Sequence, residues 1–157
     1  MRVEAEGMGS GDVAVLEAVA EGADERELLR RGHFPSVVDT FRGVAALGRM
    51  LNGGVPIRWT GTVHLSVVHG VIAAGRRPSV WLSPFQRDLL RAWAKGLSLE
   101  TYAYEAELST ADAWERSQFL CMRLKASGAQ QAVLRGHQTG VLTANDPLHV
   151  IFDAGGT

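Results

Sequence analysis

Cysteine is nearly absent from this chain. Cys121 stands alone among 157 residues, which excludes an intramolecular disulfide framework and any zinc site built on a cysteine cluster. Lysine is almost as scarce: Lys95 and Lys125 are the whole supply, so arginine carries the positive charge. Neither charge sign dominates. The formal net charge is −1, and nonspecific nucleic-acid affinity comes mainly from phosphate neutralisation. Any contact with DNA would therefore have to be made locally. Long apolar runs and a signal-peptide pattern are also missing, so a soluble, cytoplasmic protein that does not enter a membrane is expected.

The residues of familiar chemistry are not gathered. His64 and His69 are five apart and share a helical face poorly, while His33, His137 and His149 are scattered. No carboxylate or thiol stands beside them at ligand spacing, so no metal site is expected. The glycines form no strand-to-helix phosphate loop, and no Ser-His-Asp arrangement can be drawn. The expectation is a protein that is not an enzyme and needs no cofactor, with Cys121 as a buried structural thiol.

Ordinary apolar content and clean helix punctuation are present instead. The hydrophobic fraction is 46%, typical of a chain that builds a core. From Leu82 to Leu124 the sequence predicts three helices. Ser83 is an N-cap, Pro84 takes the first helical position and Gln86 closes a capping box. Gly96 supplies the left-handed residue that ends this helix. Ser98 caps a short second helix. Ser109 caps a long third one, with Asp112 in the carboxylate position of its box. Helix, tight turn, short helix, turn and long helix is the order of a helix-turn-helix module.

These residues resemble the LuxR-type (GerE-type) DNA-binding domain, a four-helix module. The family opens Leu-Thr-Pro, carries Ala-x-Gly-Leu-Ser at its first turn and ends its recognition helix on Leu. This chain has Leu82-Ser83-Pro84, then Ala94-Lys95-Gly96-Leu97-Ser98, then Leu120 and Leu124, in register without a gap.

A second, more divergent copy lies upstream. Val15 to Gly22 aligns over Leu89 to Gly96, Asp24 falls on Ser98 with Glu27 completing its box, and Ser36 to Phe41 aligns over Ser109 to Trp114. Leu47 and Leu51 fall on Leu120 and Leu124, and His69-Gly70-Val71-Ile72 on Thr139-Gly140-Val141-Leu142. The expected fold is therefore all-α, with two tandem four-helix LuxR-like helix-turn-helix units. Residues 1–11 read as a flexible lead-in, 12–75 as the first unit, 76–81 as a linker, 82–143 as the second unit and 144–157 as a tail. The apolar stretch from Leu148 to Phe152 would pack back on its own domain, or serve as an arm docking on a partner subunit.

The resemblance implies function through the two long helices. Thr40, Val44, Leu47 and Leu51 on one, and Ala113, Ser117, Leu120 and Leu124 on the other, keep helical spacing and should face inward. The candidate DNA-binding residues are then Arg42 and Arg49 on the first helix, and Thr110, Trp114, Arg116, Gln118, Arg123 and Lys125 on the second. Arg42 would read guanine and Gln118 adenine. Both copies depart from the family. Asp39 and Asp112 stand where it has Thr, and are read as capping-box carboxylates. Phe41 and Trp114 stand where an exposed basic or polar residue is usual, and are read as buried at an inter-unit or partner surface, or as base-stacking groups. Trp59, Trp81 and Trp93 are assigned to core or domain-junction packing. The implied function is a transcriptional regulator that presents two covalently joined recognition helices to double-stranded DNA, roughly one helical turn apart. Pairing through the fourth helices or the tail could also give a homodimer. The alternative is a protein-interaction module whose helix-turn-helix units no longer bind DNA.

Overall fold

The punctuation residues act largely as their types dictate in the computed structural model, which describes residues 7–146. The chain there is all-helical: α1 (Ser10–Ala20), α2 (Glu25–Arg30), α3 (Val37–Leu51), α4 (Trp59–Val68), α5 (Pro84–Ala94), α6 (Leu99–Glu105), α7 (Thr110–Leu124) and α8 (Ala129–Gln138). No strand occurs among the described residues. The last four helices repeat the first four in order and nearly in length. They have 11, 7, 15 and 10 residues, against 11, 6, 15 and 10. None of the helices is long and apolar enough to cross a membrane.

Ser83 Oγ accepts from the Gln86 backbone N–H, and the Ser83 N–H in turn donates to the Gln86 side-chain oxygen at 2.9 Å. Ser98, Ser109, Ser36 and Asp24 likewise accept from the third residue of their helices. The acidic partners behave differently from the expected boxes. Asp39 accepts from the Ser36 hydroxyl at 2.9 Å rather than from its amide, and Ser109–Asp112 closes in one direction only. Glu27 turns outward to Arg30 and Arg31 at 2.6 and 2.8 Å. Those bonds hold its carboxyl near pKa 2. Two arginines within one turn satisfy the Glu27 carboxylate better than the single Asp24 N–H that a closed box would offer it, while Asp24 still accepts from the Glu27 N–H. Residues 7–11, expected to belong to a flexible lead-in, are instead in contact with the helical body. α1 begins at Ser10, Asp12 accepts from the Gly9 amide, and Met8 packs on the core. The expectations for residues 1–6 and 147–157 lie outside the described residues.

Four helices make the centre. α4 packs on α8, while α1 and α5 each pack on both of them. Each of these packings thus has its counterpart with the halves exchanged, an approximate two-fold arrangement. The core residues of both halves form one cluster, from Leu16, Val19 and Val63 to Leu90, Val133 and Leu142. The two long helices lie against this centre, α3 on α4 and α1, α7 on α8 and α5. Their inward stripes are as spaced in the sequence: Thr40, Val44, Leu47 and Leu51, and Ala113, Ser117, Leu120 and Leu124, are all buried. Thr40 is a tolerable core residue because its hydroxyl donates to the Ser36 carbonyl at 2.9 Å.

Close approach holds the halves together at one point. Ile57 fills the space between Gly48, Gly61 and Gly96, and a Cβ on Gly61 would lie 3.1 Å from the Gly96 Cα. Gly96 also needs its φ of +84°, which ends α5 in the left-handed region. Polar ties flank this seam. Gln130 donates from α8 to the Val19 and Ala23 carbonyls at the end of α1, at 2.9 and 3.0 Å. Gln138 donates to the Ala74 carbonyl at 2.7 Å, and the Arg77 amide donates to the Gln138 carbonyl at 2.8 Å. The segment before α5 is thereby pinned to the end of α8.

Candidate nucleic-acid interface

A helix whose inward stripe is fixed must present its remaining side chains outward. On α3 those include Val38, Arg42, Ala46 and Arg49. Arg42 and Arg49 are two turns apart on one face, both exposed. Neither side chain makes a hydrogen bond or ion pair among the described residues. Phe41 lies to the side of them, half-exposed, with its ring 5.9 Å from that of Trp59.

On α7 the predicted set divides into two flanks. Arg116 and Arg123 point toward α5. The Arg116 guanidinium lies 4.4 Å from the centroid of the Phe85 ring, and Arg123 Nε donates to the Trp81 carbonyl at 3.1 Å. Lys125 follows as the left-handed C-cap residue, φ +53°. Trp114 and Gln118 are on the other flank. Gln118 and Cys121 there line a cleft of about 560 Å³ that Phe41, Arg58 and Trp59 border from the first four helices. Asp24, Glu25 and Glu100 also line it. Thr110 is exposed at the first position of α7. The middle of the outward face carries neither a predicted contact nor a cation. It holds Glu115 and Met122, the latter 72% exposed.

The aromatic residues separate more sharply than their types suggested. Trp93 is buried and Trp59 packs partly on the core. Trp81 is 67% exposed, which overturns its assignment to packing; Leu82 beside it takes the core position instead. Trp114 is 59% exposed and does not bury against Phe41. Cys121 is half-buried, and burial raises its thiol pKa.

Two histidines that are 73 residues apart in sequence meet at the α4–α8 seam. Their rings stack with centroids 5.0 Å apart, and His64 Nδ1 lies 2.9 Å from His137 Nε2. His64 Nε2 is buried without a partner. A bare ring lone pair is cheaper to leave unpaired than an N–H, so His64 Nδ1 donates to His137 Nε2. Burial lowers both pKa values, that of His137 to about 4 with help from the neighbouring His64. Asp146 acts in the opposite direction on both, and its carboxylate lies 3.4 Å from Arg91. Sequence spacing could not show this pair. No family model, curated protein or solved structure matches this chain, so its geometry is the ground on which a function is assigned.

Proposed function

We propose that this protein is a DNA-binding transcriptional regulator in which two tandem LuxR-like helix-turn-helix units are joined in one chain. The observation that carries the reading is the pair Arg42 and Arg49, exposed on the outward face of α3 and unpaired among the described residues. Phosphate and base-edge contacts need cations of this kind, aligned on one helix face. The matched halves and the α4–α8 seam support the reading further. In the family, two separate chains pair through their fourth helices, and here the pairing would be internal. Both long helices border one cleft, so both can approach one stretch of duplex. The two units would contribute unequally. α3 keeps free arginines, whereas α7 has its arginines engaged and Glu115 in their midst.

The test is fluorescence-anisotropy binding to a random duplex pool at two salt concentrations, with selection of retained sequences. Salt-sensitive binding that enriches a site of about one to two turns is expected. Replacing both Arg42 and Arg49 with Ala should weaken it and reduce the log–log salt slope by roughly 1 to 2. Arg123→Ala should cost less. No binding at low salt would end the DNA reading.

A second reading has its own observation. The outward face of α7, with Trp114 59% and Met122 72% exposed around Glu115, has the aromatic and thioether character of a protein-binding surface. Under that reading the chain is an interaction module, and α7 rather than α3 is its working helix.

A further inference from the structure

We propose that the groove between the start of α5 and the near flank of α7 is a docking site for an acidic, amphipathic helical peptide of a protein partner. It is a second binding site, distinct from the α3 face on which the DNA reading rests. The groove measures about 620 Å³ and has Phe85, Phe119 and Met122 as its apolar surface. These side chains are 61%, 54% and 72% exposed, an unusual outlay of apolar area for one small patch. Arg116, Arg123 and Lys125 stand around it, and no carboxylate lines it. Apolar anchors within a ring of cations complement a helix that carries large apolar residues one turn apart, flanked by Asp and Glu.

The fold does not require this surface. The helix correspondence puts Gly11, Gly43 and Ala46 of the first half where the second has Phe85, Arg116 and Phe119. There the Phe34 ring covers Gly43. One copy of a repeated structure has thus acquired three large side chains that add nothing to its own core. Nucleic acid fits less well. The Phe85 ring already covers one face of the Arg116 guanidinium, Arg123 Nε is spent on Trp81, and Asp112 and Glu115 precede them on the same helix. The remaining guanidinium N–H groups and the Lys125 ammonium are enough to grip carboxylates at the edge of an apolar contact.

A display library of amphipathic helices of about 16 residues, with helix-spaced apolar residues on backgrounds of varied charge, tests this on the full chain. Acidic members should be enriched. The double variant Phe119→Ala, Met122→Ala should weaken their binding about tenfold or more, since exposed large anchors dominate such interfaces. Both positions face solvent, so the variant should keep its thermal midpoint, to be checked by circular dichroism. Lys125→Gln should weaken binding and flatten its salt dependence, and Arg42→Ala should leave it unchanged. The proposal is overturned if no acidic member is enriched, or if the enriched members bind the double variant equally well. It is also overturned if random duplex DNA loses as much affinity as the peptide when Phe119 and Met122 are truncated. Loss of DNA binding in the Arg42, Arg49 variant reports on the α3 reading alone, so the two proposals can fail separately.

Discussion

At the scale of single residues, the His64–His137 contact has a measurable consequence. Two imidazoles stacked in a seam cannot both be protonated without placing like charges in contact, and burial already disfavours either cation. Both pKa values are lowered in the folded chain, so the unfolded chain binds protons first as pH falls. Stability contributed by the neutral pair is therefore complete above pH 6.5. It is lost as pH falls through the unfolded value toward about 4, where His137 titrates in the folded state. At about 1.4 kcal/mol per pH unit, His137 alone accounts for a loss on the order of 3 kcal/mol across that window. Without the opposing pull of Asp146 the loss would be larger. Urea denaturation at pH 7.5 and pH 5 should show the decrease, and His137→Leu should flatten it. Equal pH dependence in that variant would remove the histidine pair as the cause. The pair was not legible in the sequence because a stack across two helices leaves no local spacing. Only the three-dimensional pairing of α4 and α8 brings the rings together.

At the scale of elements, far more could be read. Ser83, Pro84 and Gln86 at the head of α5, Gly96 behind it, and Ser98 and Ser109 at α6 and α7 are local decisions between a side chain and its nearest backbone donors. They need no tertiary knowledge, and their helices begin where those residues stand. Inward stripes on α3 and α7 were equally plain, because 3.6-residue spacing leaves one solution. What failed were outward side chains with a choice of partners. Glu27 preferred two arginines to a capping box, and Trp81 gave up its expected core place to Leu82. The candidate site was legible only as a list of residues. That α3 keeps its arginines free while α7 engages its own depends on Phe85 and on the path of the chain at Trp81. Ser83→Ala removes one capping acceptor and strands the Gln86 amide at a half-buried position. Its expected cost is about 1 kcal/mol in equilibrium denaturation. A change in the slope of that denaturation instead of its midpoint would mean that the cap also limits the compactness of the chain.

At the scale of the whole molecule, the halves are not beads on a string. A linker joining two self-sufficient units would leave each with a closed core. Here α1 leans on α8 as well as α4, and α5 on α4 as well as α8, so neither half has its apolar surface covered without the other. The Gln130 and Gln138 bonds make the same point in polar terms, since each satisfies carbonyls that belong to the other half. Ile57 is the wedge, lodged where Gly61 and Gly96 let two backbones approach. A Gly61→Val side chain would have to displace Ile57 or part the helices, an overpacking cost of about 1 to 3 kcal/mol. Because the seam is shared, that loss should lower the stability of both halves together. Tryptophan fluorescence, with Trp59 in the first half and Trp93 in the second, and far-ultraviolet dichroism should then report a single transition, shifted to lower denaturant by the same amount in both signals. Two separated transitions would mean that each half is stable alone, and that the seam aligns two independent domains instead of completing one core.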